Sequence, residues 1–222
     1  MMVFVVQFVC AANVCRSPVA AALASRRFAT AALGSGVSVQ SAGVEASAGS
    51  AVCARACSWV DKHRSIESLP AHRVRGLSDT LIDTASLILA ADESVSEIIL
   101  QRRPDAQQRT FTIIEAMILA ESVVGRSVDG RGDPVTAPKA GLDVTSVTAR
   151  LHDVTAEMHA SRGRVPLTWD GGPRPLGRHR RNRSCDIPDA HTPDGASHRR
   201  MLPLLSDVVE RWTATYVLAG KA

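Results

Sequence analysis

The chain has 222 residues, 45% hydrophobic and 4% aromatic, with a formal net charge of +4 and an isoelectric point near 9.0. That is enough apolar material for a full α/β core. The apolar runs are short and broken by polar residues, which argues against a membrane span, and no aromatics interleave with the arginines as a nucleic-acid surface would need.

Residues 3–9 are apolar and β-branched and predict a buried strand. Met1 to Val9 lacks the basic start and small-residue cleavage site of a leader peptide. The next eight residues are Cys10-Ala11-Ala12-Asn13-Val14-Cys15-Arg16-Ser17. The last of them, the capping-type Ser17, and the Pro18 that follows predict a helix over 18–32. The eight residues are therefore a strand-to-helix loop whose N–H groups converge on one point. Such a point attracts an anion, because helix-terminal N–H groups are unpaired and the macrodipole is positive there. Arg16 adds a planar fork that matches two phosphate oxygens. Cys10, at the strand end, points into the same cradle, where the positive field favours a thiolate nucleophile. Thiolate attack on phosphorus, through a phosphocysteine, is the chemistry this pattern indicates.

Further strands are predicted over 37–40, 87–90 and 109–112, and helices over 50–61, 92–102 and 113–122. Alternating strands and helices imply a parallel sheet, and an anion site at the carboxyl end of the first strand suits an open α/β sheet. Residues 122–144 are rich in Gly, Pro, Asp and Ser and read as a loop. Over 144–162, Val147, Leu151, Val154 and Met158 share one face of an extra amphipathic helix. Residues 163–184 read as a second loop. The expectation is a single domain over 1–222 with a loop-helix-loop insertion at about 122–184, lying over the pocket mouth or as a surface layer. Arg174, Arg178, Arg180, Arg181 and Arg183 with His179 make a basic run before Asp186, either a solvated loop or a rim that steers anions. Cys53 and Cys57 share a helix face and read as core packing. No metal and no cofactor is expected. Five cysteines, with the reactive Cys10 among them, suit a reducing compartment, hence the cytoplasm.

Val9 to Pro18 resembles the phosphate loop of the low-molecular-weight protein tyrosine phosphatases, including the internal Asn, the second Cys and the Ser-Pro. The resemblance continues through Ser41-Ala42-Gly43 at the end of the second strand, Asp61-Lys62-His63-Arg64-Ser65, the strand and helix start at Ser86 to Asp92, and residues 104–115. Cys185-Asp186-Ile187-Pro188-Asp189-Ala190-His191 resembles the loop carrying the general acid. The resemblance covers residues 3–121 and 184–218. It implies a four-stranded parallel sheet, order 2-1-3-4, flanked by helices, with the phosphate loop after strand 1.

It also implies roles. Cys10 is the nucleophile and Arg16 binds the phosphoryl oxygens. Ala11, Ala12, Asn13, Val14, Cys15 and Ser17 line the phosphate site, and Ser17 donates to the thiolate. Ser41 and His63 match the positions that hold Asn13. Asp189 is the general acid, with Asp186 in reserve. The Asp133-Pro134 dipeptide precedes the extra helix and is set aside. Where the family places Pro and an aromatic after the acid, this chain has Ala190 and His191. Cys15 is placed to form a reversible disulfide with Cys10.

The implied substrate is a phosphorylated protein or a small phosphomonoester. No aromatic lies between Ser41 and Ala56, so the walls that would stack on a phosphotyrosine ring look absent. Two rival readings remain. An arsenate reductase of the same fold needs two relay cysteines after the third strand, and residues 58–184 contain none. The other is a non-catalytic phosphate- or phosphopeptide-binding module. The oligomeric state is not indicated.

Overall fold

A computed structural model describes residues 3–33, 35–47, 49–63, 69, 72–128, 144–168, 185–191 and 196–221. Four strands form one parallel sheet: β1 (Phe4–Cys10), β2 (Val37–Gly43), β3 (Leu87–Ala90) and β4 (Thr110–Thr112), in the order β2-β1-β3-β4. The expected topology is therefore present. β2 runs three residues past its predicted end because Ala42 and Gly43 pair with Val9 and Cys10. That extension brings Ser41 to Gly43 alongside the phosphate loop.

Both faces of the sheet are covered, as a parallel sheet requires. Phe4, Val6 and Phe8 of β1 enter the larger core with α1 (Arg16–Thr30), α5 (Ile113–Val128) and α7 (Ala196–Lys221). Val9 enters a smaller core with Ile82 of α3 (Asp79–Thr84) and with Val95 and Ile99 of α4 (Glu93–Arg102). Trp212 centres the larger core, edge-on to Phe8 at 5.8 Å and to Phe28 at 5.9 Å. Burial of each such side chain stabilises the fold by roughly 1.5–3 kcal/mol.

Thr112-Ile113-Ile114-Glu115 forms a reciprocal capping box. Glu115 N–H donates to Thr112 Oγ1 at 3.2 Å and Thr112 N–H to Glu115 Oε2 at 3.3 Å. So capped, α5 continues past 122, where a loop is expected, to Val128. The extra amphipathic helix is α6 (Val144–Ala160). It packs near the amino-terminal ends of the strands: His152 lies edge-on to Phe4, and Thr155 Oγ1 meets Tyr216 Oη at 3.1 Å. Just past it, Arg162 bonds Glu115, Gln107 O and Thr110 O and sits over the Phe111 ring. This helix is thus a surface layer at the pole opposite Cys10. Asp133-Pro134 and the basic run at 174–183 lie outside the described residues. No helix among the described residues is long and apolar enough to cross a membrane.

Candidate active site

β1 delivers Cys10 to the carboxyl edge of the sheet, and the chain turns at once into α1. The helix starts at Arg16, two residues before the predicted start, with Cys15 as its N-cap and no side-chain cap. Pro18 still fits, since the first-turn N–H groups have no intrahelical partner. The loop's carbonyls are spent on its surroundings. Val44 N–H donates to Cys10 O at 3.0 Å, Glu45 N–H to Ala11 O at 2.9 Å and Cys53 N–H to Val14 O at 2.9 Å. Asn13 N–H meanwhile faces the thiol, 3.3 Å from Cys10 Sγ, and Ser17 Oγ lies 3.0 Å from the same sulfur. Gly43 lets the loop lie against β2. A Cβ there would stand 2.5 Å from Ala11 O and 2.7 Å from Asn13 N.

Asn13 is the hub. Its φ of 56° is left-handed, which Asn adopts more readily than most residues. Nδ2 donates to Ser17 Oγ at 2.9 Å and to Ser41 Oγ at 3.0 Å, and Oδ1 accepts the Arg75 N–H at 2.9 Å. His72 Nε2 lies 3.1 Å from Asn13 Oδ1 and 3.2 Å from Asn13 O. Both are acceptors, so that nitrogen carries the proton. Burial pushes the His72 pKa below the ordinary value, against its bond to the Asn13 backbone, and the Arg75 charge adds to the fall.

Ser41 is therefore where the resemblance puts it, but the histidine brought to Asn13 is His72. The side chain of His63 lies outside the described residues. Between β2 and β3 the dipeptide His-Arg occurs twice, at His63-Arg64 and His72-Arg73. Only the second adjoins the backbone pairing of Gly43 with Arg75 and Leu77 that docks this segment beside β2.

Arg16 is buried, 6% exposed in its side chain. Nη1 donates to Asp92 Oδ2 at 2.6 Å and to Ile187 O at 3.0 Å, and Nη2 lies 3.4 Å from Asp189 Oδ2. Asp92 is also the N-cap of α4, its Oδ1 accepting the Val95 N–H at 2.9 Å. Burial works against its charge, but bonds from Ser94 and Val95 and the Arg16 cation outweigh it, leaving the carboxyl below the ordinary range. Asp92 ends the stretch from Ser86 that resembles the family, but only the fold reveals its contact with Arg16. The loop over 185–191 is docked by Ile187, whose N–H donates to Ala91 O at 2.8 Å. Asp186 is occupied with the Glu93 N–H at 2.9 Å. Asp189, more than half exposed, faces Arg16 and takes the His191 N–H at 3.0 Å.

Sequence spacing missed one cluster. Cys53 lies just before α2 (Ala54–His63), not inside a helix with Cys57; it packs against the larger core, as Cys57 does, and also faces Cys15 and His198. Cys15, Cys53, His191 and His198 bring one ligand atom each to within 4.8 Å of one another, so four potential ligands do meet. Burial, with Cys53 beside it, pushes the Cys15 thiol up. Burial, then His191 and Arg55, pushes His198 down.

Displacement at phosphorus by a thiolate requires an oxyanion cradle at the sulfur, a fixed cation and a proton donor for the leaving group. Groups of all three kinds meet here, which puts the chain among the cysteine-dependent phosphatases. Comparisons with known proteins agree. Residues 5–123 match the family model described as low molecular weight phosphotyrosine protein phosphatase. The protein-arginine-phosphatase of Geobacillus stearothermophilus is 36% identical over 136 residues, 61% of this chain and 84% of the relative. Among solved structures, the YwlE arginine phosphatase of that organism is 33% identical, with 71% of this chain and 84% of that one covered and a TM-score of 0.44. A YwlE mutant from Bacillus subtilis is 26% identical, with 71% and 97% covered and a TM-score of 0.46. The chain belongs to the low molecular weight phosphotyrosine protein phosphatase family.

Proposed function

We propose that this phosphatase hydrolyses phosphorylated proteins or small phosphomonoesters in two steps, with Cys10 as nucleophile, Arg16 as phosphoryl clamp and Asp189 as acid and base. Cys10 Sγ attacks phosphorus. The S–P bond forms as the P–O bond breaks, and the departing oxygen takes the Asp189 proton. Water then attacks phosphorus, Asp189 recovers a proton from it, and the thiolate leaves with Ser17 Oγ near its sulfur. The observation that carries this reading is the sulfur's setting: Asn13 N–H at 3.3 Å and Ser17 Oγ at 3.0 Å, in a loop with no side-chain cap over α1. Asp189 is favoured over Asp186 because Asp186 is tied to α4 while Asp189 faces Arg16. A reductase relay gains no support, because Cys53 faces Cys15 and His198. A reducing, cytoplasmic setting fits five free thiols.

Phosphoarginine on protein is the second substrate to test, because the curated relative covered over 84% of its length is named a protein-arginine-phosphatase. The same steps serve with a nitrogen as the leaving atom. The experiment compares aryl phosphate, phosphotyrosyl and phosphoarginyl peptides, and arsenate with thioredoxin. Hydrolysis of a phosphorylated substrate is expected, and Cys10→Ser should abolish it while retaining oxyanion binding. More than trace turnover in Cys10→Ser would overturn the nucleophile assignment, and reduction of arsenate alone would overturn the reaction class.

A further inference from the structure

Two thiols and two imidazoles converge beside the phosphate loop from four separate stretches of chain. Cys15 ends the loop, Cys53 precedes α2, His191 closes the loop carrying Asp189, and His198 sits in the first turns of α7. Their ligand atoms lie within 4.8 Å of one another, and Cys53 Sγ is 3.3 Å from His198 Nε2. The two imidazole rings stand 5.1 Å apart at 80°. In a tetrahedral zinc centre, with bonds of about 2.0–2.3 Å, the donors are about 3.3–3.8 Å apart, so sub-ångström to ångström shifts complete the geometry.

We propose that Cys15, Cys53, His191 and His198 form a structural zinc site that ties the phosphate loop to the loop carrying Asp189. The donor chemistry selects the metal: two thiolates and two imidazoles suit zinc and exclude the hard, oxygen-seeking cations. Burial also fits a closed site. Cys15 and His198 are buried, Cys53 is half-buried, and only His191 is exposed, which gives the metal a way in. His198 Nδ1 is buried without a hydrogen-bond partner among the described residues. Such an unmet polar atom costs free energy in a purely apolar contact. As the metal binds, each thiol releases its proton to solvent and the two thiolates balance the divalent charge.

The site lies outside the reacting groups and acts on them by position. His191 is two residues beyond Asp189 and donates its N–H to that carboxylate. Zinc on His191 would fix the acid against the cradle. Zinc on Cys15 would also withhold that thiol from Cys10, so no internal disulfide could close while the metal is bound.

The test uses the intact protein. Zinc content after purification and X-ray absorption at the zinc edge should give one metal with two sulfur and two nitrogen neighbours. Replacement with cobalt(II) should give intense tetrahedral visible bands with thiolate-to-metal charge transfer. Cys53→Ser and His198→Asn should weaken binding by more than the ~10–100-fold that loss of an outer partner costs, whereas Cys57→Ser and Cys10→Ser should leave the spectrum intact. An oxygen-only or octahedral centre would overturn the proposal. So would a spectrum that survives Cys53→Ser, or one that is lost in Cys10→Ser, which would place the metal in the catalytic pocket. The absorption measurement needs no variant, so a misfolded His198→Asn leaves the answer decided.

Discussion

Arg16 Nη1 lies 2.6 Å from Asp92 Oδ2, and the other oxygen of the same carboxylate caps α4 through the Val95 N–H. One side chain thus sets both the cation of the cradle and the start of a helix on the far side of β3. The phosphate loop is held from outside as well as by its own bonds.

Asp92→Asn separates the two duties. Asparagine caps a helix about as well as aspartate, so the variant removes mainly the counter-charge of Arg16. Breaking a buried pair costs roughly 3–5 kcal/mol, and partial exposure of Asp92 puts this case toward the low end. Inorganic phosphate should restore part of the loss by supplying the missing negative charge. In thermal unfolding, the gain from phosphate is expected to be larger in Asp92→Asn than in the wild type. Equal gains would show that Asp92 does not balance Arg16.

Asp189→Asn tests the proposed acid. Esters with poor leaving groups need a proton and should slow by ~10²–10⁴-fold, while those with good leaving groups need little help. The slope of rate against leaving-group pKa should steepen in Asp189→Asn and stay unchanged in Asp133→Asn. The opposite pattern would move the acid to the Asp-Pro dipeptide.

Gly43→Ala adds one methyl group where Ala11 O is 2.5 Å and Asn13 N 2.7 Å from an ideal Cβ. These are backbone atoms, so relief requires the phosphate loop to shift. Phosphate affinity and turnover should collapse together while circular dichroism stays native, because the edge of the sheet moves less than the loop. Retained oxyanion binding would show that the loop does not depend on this contact.

His72 makes stability depend on pH. Its folded pKa lies below the ordinary 6.5, so the unfolded chain takes up the proton first as pH falls. Its contribution is complete above pH 6.5 and declines below it, down to the folded pKa. Denaturant titrations should show the wild type losing more stability than His72→Gln as the pH falls below 6.5. Parallel pH profiles would remove His72 as the cause.

The strands and the Cys10–Arg16 loop were legible because their signals are local: an apolar β-branched run, a short spacing and a Ser-Pro, whereas the order of the strands came only with the family resemblance. The exact start of α1 was not, since a proline is tolerated anywhere in the first turn, and the cap proves to be Cys15. Asp79–Thr84 is too short to show a helical period and is held by the Ser78 cap. The histidine at Asn13 was misplaced because two His-Arg dipeptides compete within one segment, and only pairing with β2 chooses between them. The Cys15–Cys53–His191–His198 cluster is formed by packing of distant segments, which no spacing rule registers.

α6 and the catalytic cradle occupy opposite poles of the sheet: His152 and Thr155 pack around Phe4 and Tyr216, while Cys10 ends the same strand at the other edge. Substitutions separated this far and sharing no partner have additive free energies. Thermostability could therefore be engineered at the α6 pole, by repacking Thr155 against Tyr216, without trading away turnover. Selection would have the same freedom, because adjustments to the scaffold there need not be retuned against the chemistry.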